Sequence, residues 1–353
     1  MSYINGIGLI SPQNTYENNE FLQNIMEQNA DYLKCVEPVY KNFIDPILSR
    51  RMSRLIKMGI TSAKICLADA GEIQPDAIIT GTGLGSVEDT EKILGDITKE
   101  EKFLNPTPFI QSTYNTISSQ IAIILKCHGY NSTYVHRSFS FESVLQDAIM
   151  QLEEGTADHI LAGGIDEMTM NHLQITRRLG LWKTGPVSNL RLLEEPGPGA
   201  LAGEGSAYFL VSGEPNENSY AQLIGVETIY KPSSREKLFL HVREFLESHQ
   251  LNTGDIDLVL TGVNGDVNWD FLYQDFLSEL FPGNAAAWYK HLCGEYHTAS
   301  GFGLFTAANI LKHQVYPEIL ALNTNSPKDF KYILLYNHFR NVNHSLILLR
   351  AIS

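Results

Sequence analysis

The sequence predicts an α/β protein in which one arrangement of strands and helices occurs twice. Short runs of β-branched and apolar residues alternate with amphipathic helical segments, which is typical of layered α/β folds. This alternation starts again after about residue 213. The chain has 353 residues, an ordinary length for a duplicated α/β unit. We therefore predict two similar halves, residues 1–212 and 213–353.

The first half contains the clearest helix and the clearest buried strand. Residues 140–152 place apolar side chains at helical spacing, and residues 159–162 form an apolar run that ends in two glycines. The other predicted elements are strands at 3–10, 77–80 and 205–211 and a helix at 51–70.

The second half repeats the alternation. Residues 235–248 have apolar side chains on one helical face, and the last two apolar runs look like a closing pair of strands. The predicted strands are 221–228, 256–260, 332–336 and 345–349, and the other helices are 269–280 and 301–311.

Composition and charge exclude several classes of function. The formal net charge of -14 argues against nucleic acid as a partner, because phosphate contacts need clustered Lys and Arg. The first residues lack the basic and apolar regions of a signal peptide. The longest apolar runs are too short to span a bilayer. We expect a cytoplasmic protein with no membrane span.

The cysteines and histidines do not predict a metal site. The four cysteines show no CxxC pair, and the histidines near residues 291–297 lack a third ligand at useful spacing. We therefore predict neither a metal nor another cofactor.

Six short motifs follow one another along the chain. The most specific is E-G-T-A-D-H-I-L-A-G-G at residues 154–164. The others are Y-I-N-G-I-G-L-I-S-P at 3–12, R-R-M-S-R at 50–54, G-T-G-L-G at 81–85, Q-S-T-Y-N and S-Q-I-A within 111–122, and G-E-G at 203–205. Each motif is weak alone. Together, and in this order, they resemble the β-ketoacyl synthases. The resemblance implies a thiolase-like fold, with two β-α-β-α-β-α-β-β halves in five layers, and a dimer.

These enzymes use a cysteine at a sharp strand-to-helix turn, and the resemblance places Ser138 at that position. A serine needs an adjacent base to become a nucleophile. Two interpretations remain open at this stage: a serine nucleophile, or a serine that caps or starts the helix. Arg137 replaces a small residue of the family and is expected to crowd the mouth of the pocket.

The two family histidines are also missing. The resemblance places Thr261 at the first histidine position and Glu295 at the second, while the family lysine is retained as Lys290. Threonine cannot move a proton near neutral pH. A carboxylate would oppose the build-up of negative charge on a substrate oxygen. We expect Lys290 to pair with Glu295 and hold the loop.

The glycine-rich loop that borders the family's active site is altered as well. Residues 339–343 read F-R-N-V-N and keep only the phenylalanine and an asparagine of the family pattern. Glycines in such loops allow close backbone approach. Arg340 and Asn341 are therefore expected to narrow or close the approach to the site.

Other residues could form a substitute centre. A relay of Ser138, His297 and Glu295 is conceivable. Cys293 could be a relocated thiol, although a buried cysteine is usually a small apolar side chain.

The resemblance implies a catalytically inactive subunit of the chain-length-factor type. Such a subunit pairs with an active ketosynthase in polyketide, aryl-polyene or fatty-acid-type biosynthesis, and acyl carrier protein is then an indirect partner. Chain-length factors often carry glutamine at the nucleophile position, where this chain has Ser138. The alternatives are a serine-based acyltransferase or thioesterase acting on carrier-protein thioesters, and a homodimer that binds acyl groups without reacting.

The resemblance also implies where the dimer forms. Subunits of this fold pair through the strand before the nucleophile turn, residues 131–135 here, and the helix near 115–125. Thr133, Tyr134 and Val135 are strand formers that favour such pairing. Phe109 and Tyr114 are expected either to wall the partner's acyl tunnel or to pack inside this chain.

Overall fold

The chain forms an α/β structure: among the residues that the structure describes, ten strands form one sheet with helices on both faces, and four short strands form two separate pairs. The computed structural model describes residues 1–17, 21–99 and 104–352. In these residues the strands are β1 (Ser2–Ile10), β2 (Asn29–Ala30), β3 (Tyr32–Leu33), β4 (Ala77–Thr82), β5 (Asn131–Val135), β6 (His159–Asp166), β7 (Val187–Ser188), β8 (Ala202–Gly203), β9 (Gly205–Ser212), β10 (Ala221–Tyr230), β11 (Leu258–Thr261), β12 (Ala285–Trp288), β13 (Tyr332–Phe339) and β14 (Asn343–Arg350).

The helices lie between these strands. They are α1 (Pro46–Ser49), α2 (Arg54–Asp69), α3 (Val87–Lys99), α4 (Pro106–Gln111), α5 (Thr116–Leu125), α6 (Ser140–Glu153), α7 (Met170–Arg177), α8 (Arg235–Ser248), α9 (Phe271–Leu280), α10 (Lys290–Cys293) and α11 (Ser300–His313).

The strand order shows the duplication directly. One set of five strands runs β5-β4-β6-β9-β1, and the other runs β12-β11-β13-β14-β10. If the strands of each set are numbered along the chain, both orders read third, second, fourth, fifth, first. Parallel and antiparallel pairs also fall at the same places in both sets. β1 and β10 join the two sets through a short antiparallel pairing at Ser2–Ile4.

The layers follow from where apolar side chains are buried. α6 and α11 lie between the two sets of strands, and their apolar residues share a core with both. α2 and α5 cover the outer face of the first set. α8 and α9 cover the outer face of the second set. The order helix, sheet, helix, sheet, helix gives five layers, so the predicted thiolase-like fold is confirmed.

Two glycines of the first motif allow β1 to lie against α2. A Cβ atom at Gly8 would collide with the backbone of α2 at Ser62 and Cys66, and one at Gly6 would collide at Cys66 and Ala70. A larger residue at either position would push the helix away from the sheet.

The predicted elements are present, with small shifts at their ends. Helix 51–70 begins three residues later than predicted, at Arg54, because Ser53 is its N-cap. The strand predicted at 256–260 occupies Leu258–Thr261, since Ile256 still follows a single 3-10 turn. The boundary between residues 212 and 213 stays a prediction.

Candidate functional site

The turn between β5 and α6 carries Ser138. Two backbone amides in this turn, those of Ser138 and Phe139, donate to the Nδ1 atom of His136 at 3.2 and 3.1 Å. The His136 ring also stacks on Phe139. Nδ1 of His136 is therefore occupied as an acceptor of backbone hydrogen bonds. Burial and the nearby His297 lower the pKa of His136, which favours the neutral ring that this role requires.

The hydroxyl of Ser138 has one partner in the described structure. Nδ2 of Asn343, at the start of β14, donates to Oγ of Ser138 at 2.6 Å. The N-cap of α6 is Phe139, and no side-chain cap bond is made there. The interpretation of Ser138 as a capping residue is therefore wrong, because its hydroxyl contacts β14 and not the first amides of the helix.

His297 holds the same turn from the opposite side. Its Nδ1 atom forms a 2.6 Å hydrogen bond with the carbonyl oxygen of Arg137. Its ring lies so close to Gly83 that a Cβ atom there would collide with it. Asp166 anchors both sides, since its carboxylate accepts from the amides of Gly83 and Thr298. The imidazole of His297 therefore positions backbone segments around Ser138.

The second family histidine position is part of a buried ion pair. Nζ of Lys290 donates to Glu295 at 2.5 Å and to Oδ1 of Asn337 at 2.8 Å. Nδ2 of Asn264 donates to the same oxygen of Glu295 at 2.7 Å. The pairing of Lys290 with Glu295 is confirmed. The two asparagines that complete this network, Asn264 and Asn337, are not apparent from the sequence motifs.

Thr261 lies at the end of β11 but points away from this network. Its hydroxyl donates to the carbonyl oxygen of Ala287 on β12 at 2.8 Å. The next residue, Gly262, adjoins the ion pair, since a Cβ atom there would lie 3.1 Å from Cε of Lys290 and would collide with Asn337. The structure thus leaves no room at position 262 for a larger side chain beside Lys290. Neither Gly262 nor Thr261 can carry a proton.

The loop that replaces the family's glycines keeps an unusual backbone conformation. Arg340 and Asn341 have φ angles of 51° and 55°, in the left-handed region that favours glycine. They form the turn between β13 and β14. The guanidinium of Arg340 lies 5.6 Å from the ring centre of Trp269. The backbone path of a glycine turn is therefore retained while a bulky side chain is added.

Two cavities of very different volume lie around the site. Beside Glu295, Trp269 and Arg340, the cavity has only about 30 Å³, close to the volume of one water molecule. Outside it, a cleft of about 750 Å³ lies between the turn before α6 and the β13–β14 turn. The expectation that Arg340 narrows the approach agrees with this arrangement. Arg137 lines the outer cleft, as expected for a residue at the mouth.

The proposed relay is not assembled. Glu295 bonds to Lys290 and Asn264, whereas His297 bonds to the Arg137 carbonyl. No hydrogen bond in residues 1–17, 21–99 and 104–352 links a ring nitrogen or a carboxylate to Oγ of Ser138. The relay of Ser138, His297 and Glu295 is therefore not formed in this structure, and no base is bonded to the serine hydroxyl among the described residues.

The other candidate side chains are buried among apolar neighbours. Burial raises the pKa of the Cys293 thiol well above its ordinary value, which disfavours the reactive thiolate. Burial also lowers the pKa of His291 to about 3, and its ring stacks on Trp288. Both groups are neutral at physiological pH. In the described part of the chain, no three His, Cys, Asp or Glu side chains are grouped as metal ligands.

Two of the sequence motifs meet in a second buried ion pair. Arg54, at the start of α2, donates from Nη1 to Oε2 of Glu204 at 2.8 Å and from Nε to Glu37. Glu204 also accepts the amides of Cys35 and Met168, and it is fully buried. The R-R-M-S-R and G-E-G motifs are therefore parts of the scaffold that hold separate segments together.

The residues predicted to lie at a dimer interface are accessible in the single chain. Phe109 is 62% exposed and Tyr114 is 47% exposed, so Phe109 is not packed inside. β5 is the last strand of the sheet and pairs only with β4. Val135 is exposed, and Thr133 and Tyr134 are half-buried. A tunnel-lining role for these residues stays a prediction.

A family comparison agrees with this combination of fold and motifs. The family description "Beta-ketoacyl synthase, N-terminal domain" matches residues 4–215 of the chain. The fold defines a thiolase-like protein, and the match covers more than half of the sequence. The chain belongs to the β-ketoacyl synthase family. Among curated proteins, none matches the sequence.

Solved structures share the fold over the whole chain. "The ishigamide ketosynthase/chain length factor" superposes with a TM-score of 0.84 at 16% identity, covering 100% of this chain and 99% of the other. A ketosynthase (ApeO) in complex with its chain length factor (ApeC), from Xenorhabdus doucetiae, gives a TM-score of 0.80 at 14% identity and covers 99% and 98%. The AntDE:AntF complex gives 0.79 at 16% identity, with 99% of each chain covered.

A helix that crosses a membrane must be long and apolar. None of the helices in the described residues combines the length and the apolar character that a bilayer crossing requires.

Proposed function

We propose that this chain is a non-catalytic ketosynthase-like subunit of the chain-length-factor type, which pairs with an active ketosynthase. The observation that carries the proposal is the Lys290–Glu295 ion pair. Condensation in this family needs a proton-handling group at that position. Here the position holds a carboxylate that is tied to Lys290 and Asn264, beside a cavity of only about 30 Å³. The site is filled by its own side chains.

The nucleophile turn supports the same proposal. The hydroxyl of Ser138 contacts only the Asn343 carboxamide among the described residues, and His136 accepts the amide of Ser138 that could otherwise stabilise an oxyanion. The nucleophile position therefore carries a hydroxyl, not a thiol, with no base bonded to it in the described structure.

An uncovered sheet edge supports pairing with another subunit. At the opposite end of the sheet, β12 is covered by the segment at Ala321 and Leu322, which bonds to its backbone. No such cover is described over β5. An edge with unpaired backbone groups favours association with a second strand. Structures titled as ketosynthase and chain length factor share this fold, which is consistent with such a partner.

Co-expression tests the proposal. The chain is produced alone and together with a cysteine-bearing ketosynthase encoded near it, and each preparation is examined by light scattering. We expect a stable heterodimer that buries more than about 2,000 Å² in total. A homodimer that ignores the ketosynthase, or a stable monomer at micromolar concentration in its presence, would contradict the proposal.

Tunnel residues are tested in the same assembly. If Phe109 and Tyr114 wall the partner's tunnel, then Phe109→Ala or Tyr114→Ala in an intact heterodimer lengthens the products. The exposed Leu240, which lies on α8, serves as the control position. Unchanged product lengths with an intact heterodimer would remove the tunnel role.

A serine acyltransferase or thioesterase is the second candidate. The observation in its favour is the position of Ser138 immediately before α6, where the family places its nucleophile. Mass spectrometry after incubation with acyl-loaded carrier protein separates the two proposals. We expect the intact mass to stay unchanged. A stoichiometric acyl adduct that disappears in Ser138→Ala would favour the serine enzyme.

A further inference from the structure

One histidine holds the turn before α6 as a hydrogen-bond acceptor. The Nδ1 atom of His136 accepts from two backbone amides, those of Ser138 and Phe139, at 3.2 and 3.1 Å. A neutral imidazole ring has one nitrogen that can accept, and its other nitrogen carries the hydrogen. In this turn Nδ1 of His136 is therefore the nitrogen without a hydrogen, and the hydrogen lies on Nε2.

A second histidine holds the same turn as a donor. The Nδ1 atom of His297 forms a 2.6 Å hydrogen bond with the carbonyl oxygen of Arg137. Because a carbonyl oxygen can only accept, Nδ1 of His297 carries a hydrogen, and it does so in the neutral and in the protonated ring. Protonation of His297 therefore leaves this contact in place. Protonation of His136 at Nδ1 instead removes the acceptor of two amides at once.

The groups that face His136 are cations or can become cations. Arg137 follows it in the turn, and Arg340 lines the same cleft from the turn between β13 and β14. His297 faces it from the segment before α11. None of the described residues that line this cleft is acidic. A proton on the His136 ring would therefore meet like charges and no carboxylate in the cleft, which favours rearrangement of the turn.

The neutral ring of His136 is the form that the folded turn favours. Partial burial of the ring and the nearby His297 lower the pKa of His136 from its ordinary value of 6.5. The side chain is still exposed enough for solvent to reach it. Because the turn accepts only the neutral ring, uptake of the proton requires that both amide hydrogen bonds break. The turn is therefore held above pH 6.5 and loosens as the pH falls below that value.

We propose that the turn before α6 is a pH-sensitive switch, in which neutral His136 holds the amides of Ser138 and Phe139 and protonated His136 releases them. His297 keeps the Arg137 carbonyl in both states, so the change is confined to the side of the turn that leads into α6. The released amides lie at the start of this helix, where backbone N–H groups carry partial positive charge. The inference goes beyond the proposed pairing, because it concerns a conformational change within this chain.

Hydrogen exchange followed by mass spectrometry tests the switch in the folded chain, alone or in complex. The protection factors of the Ser138 and Phe139 amides, which correct for the effect of pH on chemical exchange, are compared at pH 8 and pH 5. We expect protection about tenfold lower at pH 5, the factor that corresponds to the loss of one hydrogen bond. The amides of β6, a strand that is paired on both sides, are the internal reference and should stay protected.

Two variants at position 136 separate this histidine from other groups. In His136→Asn, the side-chain oxygen takes the place of Nδ1 and accepts from the same amides without titrating, so protection should be as high at pH 5 as at pH 8. In His136→Ala the acceptor is removed, so protection should be low at both pH values. His241→Asn, on the exposed side of α8, is the matched control and should keep the wild-type response.

Equal protection of the wild-type amides at pH 8 and pH 5 would overturn the proposal. A tenfold loss that persists in His136→Asn would also overturn it, because another group, such as His297, would then control the turn. High protection in His136→Ala at pH 8 would show that the two hydrogen bonds do not hold the turn. The proposed pairing with a ketosynthase is judged by light scattering, so none of these results changes it.

Discussion

Two buried ion pairs in this molecule are chemically similar, but one connects distant segments of the chain and the other connects residues of a single loop. Arg54 and Glu204 lie 150 positions apart, and their pair joins α2 to the segments at Cys35 and Met168. Lys290 and Glu295 are five positions apart, and their pair closes one loop. The resemblance places the first pair in two of the family motifs. It places Glu295 of the second pair at the position of a family histidine.

The difference indicates which constraints the chain has kept. The Arg54–Glu204 pair joins separate segments of the scaffold, so the fold depends on it whether or not the chain is active. The Lys290–Glu295 pair satisfies a lysine that the family uses in catalysis by giving it a carboxylate partner. The proposed non-catalytic role requires the first pair for the fold and does not require a proton-handling group at the second. The comparison predicts different costs for breaking each pair.

The largest effect is expected from Glu204→Ala. The change leaves the guanidinium of Arg54 with Glu37 as its remaining partner, and it leaves two backbone amides without their acceptor in a fully buried place. Breaking a buried ion pair costs about 3–5 kcal/mol, and we expect the free energy of unfolding in urea to fall by that amount. A loss below about 1 kcal/mol, the range of surface pairs, would show that the pair does not hold the scaffold.

A smaller loss is expected from Glu295→Ala. Lys290 keeps Asn337 as an acceptor, and only one loop is released. We expect the free energy of unfolding to fall by about 1–3 kcal/mol, the cost of one unsatisfied buried group. Glu279→Ala, which removes half of an exposed pair with Arg235, is the control and should change stability by less than about 0.5 kcal/mol. Equal losses in Glu204→Ala and Glu295→Ala would remove the contrast between the two pairs.

The stability of the protein is expected to depend on pH through Glu167, which lies near the Arg54–Glu204 pair. Burial raises the pKa of its carboxyl from 4.5 to about 7. The folded state binds the proton of Glu167 more tightly than the unfolded state. The protonated carboxyl therefore adds to the free energy of unfolding, and this stabilisation is fully present below pH 4.5 and is lost as the pH rises through about 7. In Glu167→Gln, unfolding measured from pH 5 to pH 8 should show a flatter profile in this window. An unchanged slope would show that Glu167 does not titrate there.

The smallest effect is expected from Ser138→Cys. A restored thiol still lacks both histidines, and the loss of each acid–base group costs about 10²–10⁴ in rate. We therefore expect no condensation product from malonyl- and acyl-loaded carrier protein, measured by mass spectrometry of the products. Ready turnover by this single variant would show that the histidine positions lie elsewhere in the chain.

Much of the fold was predictable because its signals are local. The helices at 140–152 and 235–248 follow from side-chain periodicity within a few residues. The glycines of β1 are required where the backbone of α2 approaches closely. The ion pair of Lys290 with Glu295 was also predictable, since the two residues are five positions apart.

The sequence by itself determined the duplicated α/β pattern and the resemblance to the β-ketoacyl synthases, which implied the thiolase-like fold, because the first depends on periodicity and the second on short motifs. Only the tertiary structure decided how the vacated site is filled. Asn343 reaches Ser138 across 205 positions, and Asn337 reaches Lys290 across 47. The same holds for Gly262, which adjoins Lys290 where Thr261 was expected. Such contacts depend on how β11, β13 and β14 lie beside α6 and α10, and no local pattern encodes that arrangement.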